Sequence, residues 1–153
     1  MSGPDFNGDG YGDIVIGATG ERFGDAIRTG AVTILFGDAT KLFSESILLH
    51  QGMLTIAGDN DPNDRFGSRT TFGDFNGDGL DDLVITAPQK DVNGIKDVGM
   101  MWVLPGVSQG MGIINSAKSF DLSMFIANED ISAKDHWGEM IVSGDFNGDG
   151  YED

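Results

Sequence analysis

The sequence contains no cysteine, and no apolar run approaches the roughly 18 residues that a membrane-spanning helix needs. The absence of cysteine excludes disulfides, thiolate metal sites and thiol nucleophiles together. Basic residues are also scarce, with 9 Lys and Arg against 25 Asp and Glu and a formal charge of −16. A chain this acidic repels phosphate backbones and anionic lipid surfaces, so nucleic-acid partners and membrane insertion are not expected.

Histidine is almost absent, and glycine is abundant. The two histidines, His50 and His136, stand in no ligand or catalytic pattern, and no nucleophile-base pair is evident, so the chain is not expected to be an enzyme. The 24 glycines form no low-complexity run, which favours a role in turns. An apolar content of 39% is enough for a packed core.

One nine-residue pattern occurs three times in the chain. It begins at Asp5, Asp74 and Asp145, and its first six residues, Asp-Phe-Asn-Gly-Asp-Gly, are identical in every copy. The copies are 69 and 71 residues apart, and an aromatic-Gly pair, Phe66-Gly67 or Trp137-Gly138, stands eight residues before the second and third. This spacing predicts a repeated structural unit of about 70 residues.

Short segments rich in β-branched residues separate the copies and predict strands. From the residues alone, strands are expected at Ile14–Ile16, Val32–Phe36, Ile47–Ile56, Leu83–Ile85, Met100–Leu104 and Phe120–Ile126. No stretch keeps a 3.6-residue apolar period for three turns, so helix is expected to be minor. Repeated units of four short strands are typical of β-propeller blades or of a β-solenoid, and the predicted class is all-β.

Each nine-residue pattern is predicted to bind calcium. Side-chain oxygens occupy positions 1, 3, 5 and 9, and position 7 varies as expected of a residue that contributes only its backbone carbonyl. Calcium takes six to eight oxygen ligands, whereas the lack of Cys and of nearby His argues against zinc or copper. The predicted ligands are Asp5, Asn7, Asp9, Tyr11 and Asp13; Asp74, Asn76, Asp78, Leu80 and Asp82; and Asp145, Asn147, Asp149, Tyr151 and Asp153.

Two other interpretations of these loops are less favoured. An EF-hand loop requires an acidic ligand at position 12 followed by a helix, but that position is Ile16 or Ile85 within a strand-like run. Plain Asn-Gly and Asp-Gly turns with solvated aspartates would not repeat the same oxygens three times. The acidic segment 59–64 is a further candidate cation site, although its oxygens do not recur at residues 128–130, which favours a solvated rim loop.

Taken together, the motifs resemble FG-GAP repeats, the blades of integrin α-subunit-type β-propellers. The aromatic-Gly pair Phe66-Gly67, the loop Asp74–Asp82 and the terminal Thr86-Ala87-Pro88 carry the likeness, and Gly17-Ala18-Thr19 matches the same ending in the first copy. The resemblance implies a calcium loop between the first and second strands of each blade. It implies blade strands at Phe66–Phe72, Leu83–Thr86, Met100–Leu104 and Phe120–Ile126.

The resemblance also implies a blade organisation. Residues 1–65 would be an incomplete blade, residues 66–136 a complete one, and residues 137–153 the first strand and calcium loop of a following blade. This makes about two four-stranded blades in permuted register. Two blades cannot close a propeller, which has four to eight, so the chain is expected to belong to a longer propeller or to assemble with copies of itself. In the second case, residues 137–144 of one copy would pair with the incomplete blade of another.

The expected function is a calcium-binding repeat module of an extracellular or cell-surface adhesion or ligand-binding protein, in which calcium is structural. The alternative is a non-catalytic propeller region of a secreted enzyme that degrades polysaccharide or lipid. The sequence identifies no protein or glycan ligand, because propeller ligands bind loops that differ between relatives.

Overall fold

The computed structural model describes residues 3–43, 45–54, 59–108 and 114–153. Over these ranges the chain is all-β, with seven strands in two antiparallel sheets, three short 3₁₀ turns and no α-helix. The strands are β1 Ile14–Ala18, β2 Ala31–Phe36, β3 Glu45–Leu49, β4 Thr70–Gly73, β5 Asp82–Ala87, β6 Met100–Leu104 and β7 Lys118–Asp121. The 3₁₀ turns are Gln51–Met53, Leu122–Met124 and Asn128–Asp130.

The two sheets repeat one meander. The first has the order β1-β2-β3 and the second β4-β5-β6-β7, so consecutive strands are neighbours throughout. β5 pairs with β6 as β1 pairs with β2, with Leu83 opposite Leu104 and Ile14 opposite Leu35. The first sheet has no counterpart of β4 in the described part of the chain, and the outer edge of β1 leaves Ile14 and Ile16 exposed.

A single hydrophobic core joins the sheets. β2 contributes Val32, Ile34 and Phe36, whereas β5 and β6 contribute alternate residues that end in Trp102 and Leu104. Phe66 stands edge-on to Trp102, with ring centroids 5.1 Å apart, and both side chains are fully buried. Edge-to-face pairs of this kind add stability beyond the area that they bury.

The backbones of the two sheets lie close to each other at two glycines. Gly30 forms a parallel bridge with Phe66, and a Cβ added to Gly30 would lie 2.1 Å from the Phe66 carbonyl oxygen. A Cβ on Gly17 of β1 would lie 2.2 Å from the carbonyl oxygen of Gly67. Glycine is required at both positions because any side chain would collide with backbone of the next unit.

Four strand predictions differ from the structure by more than two residues. The Phe66–Phe72 strand is β4, Thr70–Gly73, because the N–H groups of Arg65 and Phe66 donate to Arg28 and Thr29 of the first unit. The Phe120–Ile126 strand ends at Asp121, whose side chain accepts from Ser123 and starts a 3₁₀ turn. The Ile47–Ile56 strand is β3, Glu45–Leu49, and Thr55 and Ile56 lie outside the described residues.

The fourth difference concerns residues 137–144, which form no strand. The Trp137 N–H donates to the Val98 carbonyl, repeating the contact of Phe66 with Thr29. Beyond it, Ser143 Oγ lies 2.6 Å from Thr71 Oγ1 and donates to the Phe72 carbonyl. Within the described ranges no neighbouring strand offers this segment a ladder of backbone partners, so it rests against the second sheet through side chains.

Candidate metal centres

The three loops occupy equivalent places. The first, residues 5–13, runs directly into β1, and the second, residues 74–82, connects β4 to β5. The third, residues 145–153, follows the segment that lies against the second sheet. The second loop therefore lies where the family resemblance implied, between the first two strands of a four-stranded unit.

Inside each loop the carboxylate at position 1 organises the backbone. Asp5 Oδ1 accepts from the N–H groups of Gly8 and Asp9, at 2.8 and 3.1 Å, and its Oδ2 accepts from Gly10 at 2.9 Å. Gly8 and Gly10 have φ of +70° and +86°, which lets the chain wrap around that carboxylate. Asn7 Nδ2 donates to Asp9 Oδ2 across 2.9 Å, so positions 3 and 5 are in contact.

The other two loops repeat this geometry. The side chains of Asp74 and Asp145 accept from the three N–H groups at positions 4 to 6 of their own loops, at 2.6 to 3.1 Å. The position-7 residues Leu80 and Tyr151 donate their N–H groups to the position-5 aspartates, as Tyr11 does to Asp9. The backbone of the identical hexapeptide therefore turns in the same way in three surroundings, whereas the position-3 amide donates to position 5 in the first loop and to position 9 in the other two.

The ninth residue links each loop to its sheet, and here the loops differ. Asp13 accepts from Phe6 and Gly37, Asp82 accepts from Gly106 and from Asn76, and both carboxylates are buried. Asp153 accepts from Phe146 and Asn147 within its own loop and is exposed. The first two loops are thus anchored in the fold, whereas the third lies on the surface.

Burial and nearby negative charge raise the pKa of the two buried carboxylates. Burial raises the pKa of Asp13; the N–H groups of Gly37 and Phe6 offset part of this effect, and the nearby charges of Asp5 and Asp9 raise the pKa further. Burial likewise raises the pKa of Asp82. The hydrogen bond from the Gly106 N–H offsets part of this effect, and the nearby charges of Asp78 and Asp74 raise the pKa further. A cation beside either cluster would relieve that repulsion.

The structure does not bring the predicted side chains together as a finished metal cage. Within the described ranges no group of three or more His, Asp or Glu side chains is arranged to hold a metal ion. The position-1 and position-5 carboxylates instead face the N–H groups of their own loops. The donor chemistry nevertheless fits calcium, since each loop gathers carboxylate, amide and backbone oxygens and offers no nitrogen or sulfur ligand.

The phenylalanine at position 2 packs beneath its loop in only some of the copies. Phe6 does so and is buried in the core, and Phe75 is half-buried. Phe146 is 71% exposed, which agrees with the surface position of the third loop.

Position 8 carries a contact that the motif did not reveal. The Asp5 N–H donates to Asp81 Oδ2 of the second loop across 2.8 Å, and the Asp74 N–H donates to Glu152 Oε2 of the third across 3.2 Å. Each of the first two loops therefore receives a carboxylate from the loop that follows it. The only signal in the sequence is that position 8 is acidic in the second and third copies and is Gly12 in the first.

The acidic segment 59–64 is not the solvated rim loop that was favoured. The ammonium of Lys90 lies in it, and donates to the Asp59 carbonyl, to Asp61 Oδ2 at 2.6 Å and to Asp64 Oδ2 at 2.9 Å. Gln51 Nε2 donates to the same oxygen of Asp64 across 3.0 Å. The side chains of Lys90 and Asp64 are buried, so this segment holds the chain's own cation in place of a metal.

The family model for the FG-GAP repeat matches the chain at residues 1–35 and 66–104. The matched segments contain the first two loops, their following strands and the sheet-joining glycines. The chain carries FG-GAP repeats. Its two sheets are therefore propeller blades of the integrin-like kind, as the resemblance implied.

Curated relatives align with the whole chain. Phosphatidylinositol-glycan-specific phospholipase D is 31% identical over 156 residues in Bos taurus, 31% over 153 in Homo sapiens and 33% over 156 in Mus musculus. Each alignment covers 100% of this chain and 17% of the relative. The chain is thus similar to a part of these phospholipases and spans less than a fifth of their length.

Helices of the length and apolarity required to traverse a bilayer do not occur in the part of the chain that the structure describes.

Proposed function

We propose that this chain is a calcium-stabilised, non-catalytic propeller segment of a lipid-degrading enzyme that acts outside the cell. The observation that carries the proposal is the alignment of the entire chain with phosphatidylinositol-glycan-specific phospholipases D. A propeller region of a secreted lipid-degrading enzyme was the alternative function in the sequence analysis. It now has more support than an adhesion module, because the curated relatives reported above are phospholipases.

Calcium would be held by the first two loops most firmly. In both, the ninth-position carboxylate is buried and accepts a hydrogen bond from a glycine N–H beyond the next strand of the sheet. The donor is Gly37, after β2, or Gly106, after β6. Side-chain oxygens of Asp5, Asn7, Asp9 and Asp13, and of their equivalents, would surround the ion with the position-7 carbonyl. Bound there, the ion would neutralise crowded carboxylates and tie the loop to the blade.

A non-catalytic role is supported by the surroundings of the histidines. The His50 ring stacks on Phe23 with centroids 4.1 Å apart, and its Nδ1 lies 3.3 Å from Asn60 Oδ1. His136 Nδ1 lies 3.7 Å from Glu139 Oε2. Neither arrangement positions a base against a hydroxyl nucleophile in the described part of the chain.

The predicted ligand set supports an extracellular location. Several predicted ligands, Asp9 and Asp78 among them, are exposed to solvent. Calcium sites of extracellular modules bind the ion at about 10⁻⁴–10⁻³ M. Such a site would be filled outside the cell and largely empty in the cytosol.

Thermal unfolding in millimolar calcium and in EDTA tests the role of the ion. Calcium at about 10 mM is roughly 10 to 100 times a dissociation constant of 10⁻⁴–10⁻³ M, so one site would stabilise the fold by about 1.4–2.7 kcal/mol and the Tm should rise by several degrees. Asp78→Asn should reduce the shift, while Asp25→Asn, which alters an exposed residue outside the loops, should leave it unchanged. An equal Tm in calcium and EDTA would refute calcium stabilisation.

The enzymatic part of the proposal is tested with the chain itself. Incubated with phosphatidylinositol-glycan in calcium, it should release no product, because the reaction belongs to another part of the parent protein. Turnover by this chain that exceeds a buffer control would contradict a non-catalytic segment.

Self-association remains a prediction, and the position of the first loop restricts how two copies could pair. If residues 137–144 of a second copy paired with β1, its loop at 145–153 would reach the place that residues 5–13 already occupy. One of the two loops would have to leave. Sedimentation that shows only monomer at high protein concentration would favour the longer-propeller interpretation over assembly of copies.

A further inference from the structure

A polar cavity of about 180 Å³ lies at the end of the second blade that is remote from its calcium loop. The loop connects the end of β4 to the start of β5, whereas the cavity is formed where β4 begins and β5 ends. Residues 136 and 139, at the start of the third repeat, close its other side. The cavity is therefore a feature of the junction between successive repeats and is separate from the calcium loops.

The lining is basic in a strongly acidic chain. Arg65, Arg69 and His136 line the cavity together with Ser68 and Gln89, and Glu139 is the one acidic residue among the lining groups. The chain has four arginines in all, so half of them border this one cavity. Because the Debye length is about 8 Å at physiological ionic strength, these nearby groups outweigh the distant carboxylates that produce the net charge.

Neither arginine of the cavity forms an ion pair in the described part of the chain. Among the described residues neither Arg65 nor Arg69 has an acidic group within ion-pair distance, whereas Lys90 has two and Arg22 has one. Glu139 Oε2 lies 3.7 Å from His136 Nδ1. The charge of both guanidinium groups is thus available to a ligand.

The backbone fixes the positions of these residues. Arg65 donates its N–H to the Arg28 carbonyl, and its own carbonyl accepts from the N–H and Oγ of Ser68. Arg69 Nη1 donates to the Ser68 carbonyl across 2.7 Å, which holds that guanidinium at the cavity wall. The His136 N–H donates to the Asp97 carbonyl. Ordering the Arg69 guanidinium on binding would therefore cost less than ordering a freely rotating side chain.

We propose that this cavity binds a phosphate group, either free or carried by a lipid headgroup. A tetrahedral phosphate offers several acceptor oxygens, and the arginine fork matches two of them at once. Ser68, Gln89 and His136 can supply further hydrogen bonds. The site stands on the cavity and its lining alone, so it would survive a failure of calcium binding or of the proposed relation to lipid degradation.

Isothermal titration with inorganic phosphate, in EDTA to exclude calcium phosphate, tests the site. Saturable binding is expected, and Arg65→Gln and Arg69→Gln should each weaken it by about tenfold. Arg22→Gln is the matched control, because it removes an exposed arginine that pairs with Asp25 outside the cavity. Lack of saturable binding, or equal affinity in all three variants, would overturn the proposal.

The histidines provide a readout that needs no variant. The chain has only two, and His136 lines the cavity while His50 stacks on Phe23 elsewhere. Phosphate should shift the imidazole NMR signals of His136 and leave those of His50 unchanged at constant pH. Parallel shifts of both rings, or of neither, would refute a local site.

Vesicles separate the two sources of phosphate. Co-sedimentation with phosphatidylcholine vesicles containing an equal part of phosphatidylinositol, compared with pure phosphatidylcholine, reports headgroup binding. Arginine-dependent retention on the mixed vesicles would assign a lipid phosphate. Phosphate titration without retention would assign a soluble one.

Discussion

The backbone N–H of Asp5 donates to Asp81 Oδ2 across 2.8 Å and so joins the first residue of one calcium loop to the eighth of the next. The Asp81 N–H returns to the Asp5 carbonyl across 3.4 Å. Asp74 and Glu152 repeat the side-chain contact at 3.2 Å. Since position 1 also organises the backbone of its own loop, order in one loop depends on the carboxylate of its neighbour.

Asp81→Ala should therefore weaken the first loop although Asp81 is not one of its predicted ligands. Loss of the acceptor leaves the part-buried Asp5 N–H unpaired and should lower the free energy of unfolding by about 1 kcal/mol. Calcium affinity of the first loop should fall with it. Urea unfolding and an NMR titration that follows the Gly10 and Gly79 amides in the first two loops would measure both effects.

The matched control is Glu152→Ala, which removes the same contact from the second loop. It should affect the Gly79 titration and spare that of Gly10. If both variants weakened both loops equally, the contact between successive loops would not be the cause.

The close backbone contact between the two blades at Gly17 predicts that a larger residue there destabilises the fold. A Cβ at this position would lie 2.2 Å from the Gly67 carbonyl oxygen, so Gly17→Ala must push the blades apart. The free energy of unfolding should fall by about 1–3 kcal/mol or more, since overpacking usually costs an amount in that range. Gly20→Ala is the control, because no heavy atom lies within 4 Å of its added Cβ, and urea unfolding should show little change.

The three loops and most strands could be predicted because their information is local. The backbone of the hexapeptide from Asp5 to Gly10 turns in the same way wherever it occurs, and Met100–Leu104 is a strand with the predicted bounds. Local patterns do not show where a strand meets its neighbour. The family resemblance places Phe66 in a strand, but its N–H donates to the Thr29 carbonyl of the preceding blade, and β4 therefore starts at Thr70.

Long-range partners explain what was missed. Lys90 is 26 positions from Asp64 and 29 from Asp61, and nothing in either segment specifies the other. The acidic segment therefore looked like surface or a metal site, while the fold provides an ammonium for it. Asp81 is likewise 76 positions from Asp5, so repeat spacing alone does not reveal their contact.

Lys90→Met should be among the most damaging substitutions outside the loops. It leaves Asp64, whose side chain is 2% exposed, without its ammonium partner. Breaking a buried ion pair from one side costs about 3–5 kcal/mol, which urea unfolding would detect. Lys90→Met combined with Asp64→Leu removes both charges and should recover much of the loss; a double variant as unstable as the single one would exclude an unpaired charge as the cause.

The same pair predicts a limit to stability at alkaline pH. Burial by itself would lower the pKa of Lys90, but hydrogen bonds to Asp61 and Asp64, and their charges, raise it above its ordinary value of 10.5. A lysine with a raised pKa in the folded state contributes fully below the unfolded pKa and loses that contribution as the pH rises through the folded one. Urea unfolding of wild type and Lys90→Met should differ by a constant amount from about pH 8 to pH 10 and converge above that range. A difference that persisted undiminished at the alkaline end, or that closed near neutrality, would show that packing of the lysine stem, and not its charge, holds the segment in place.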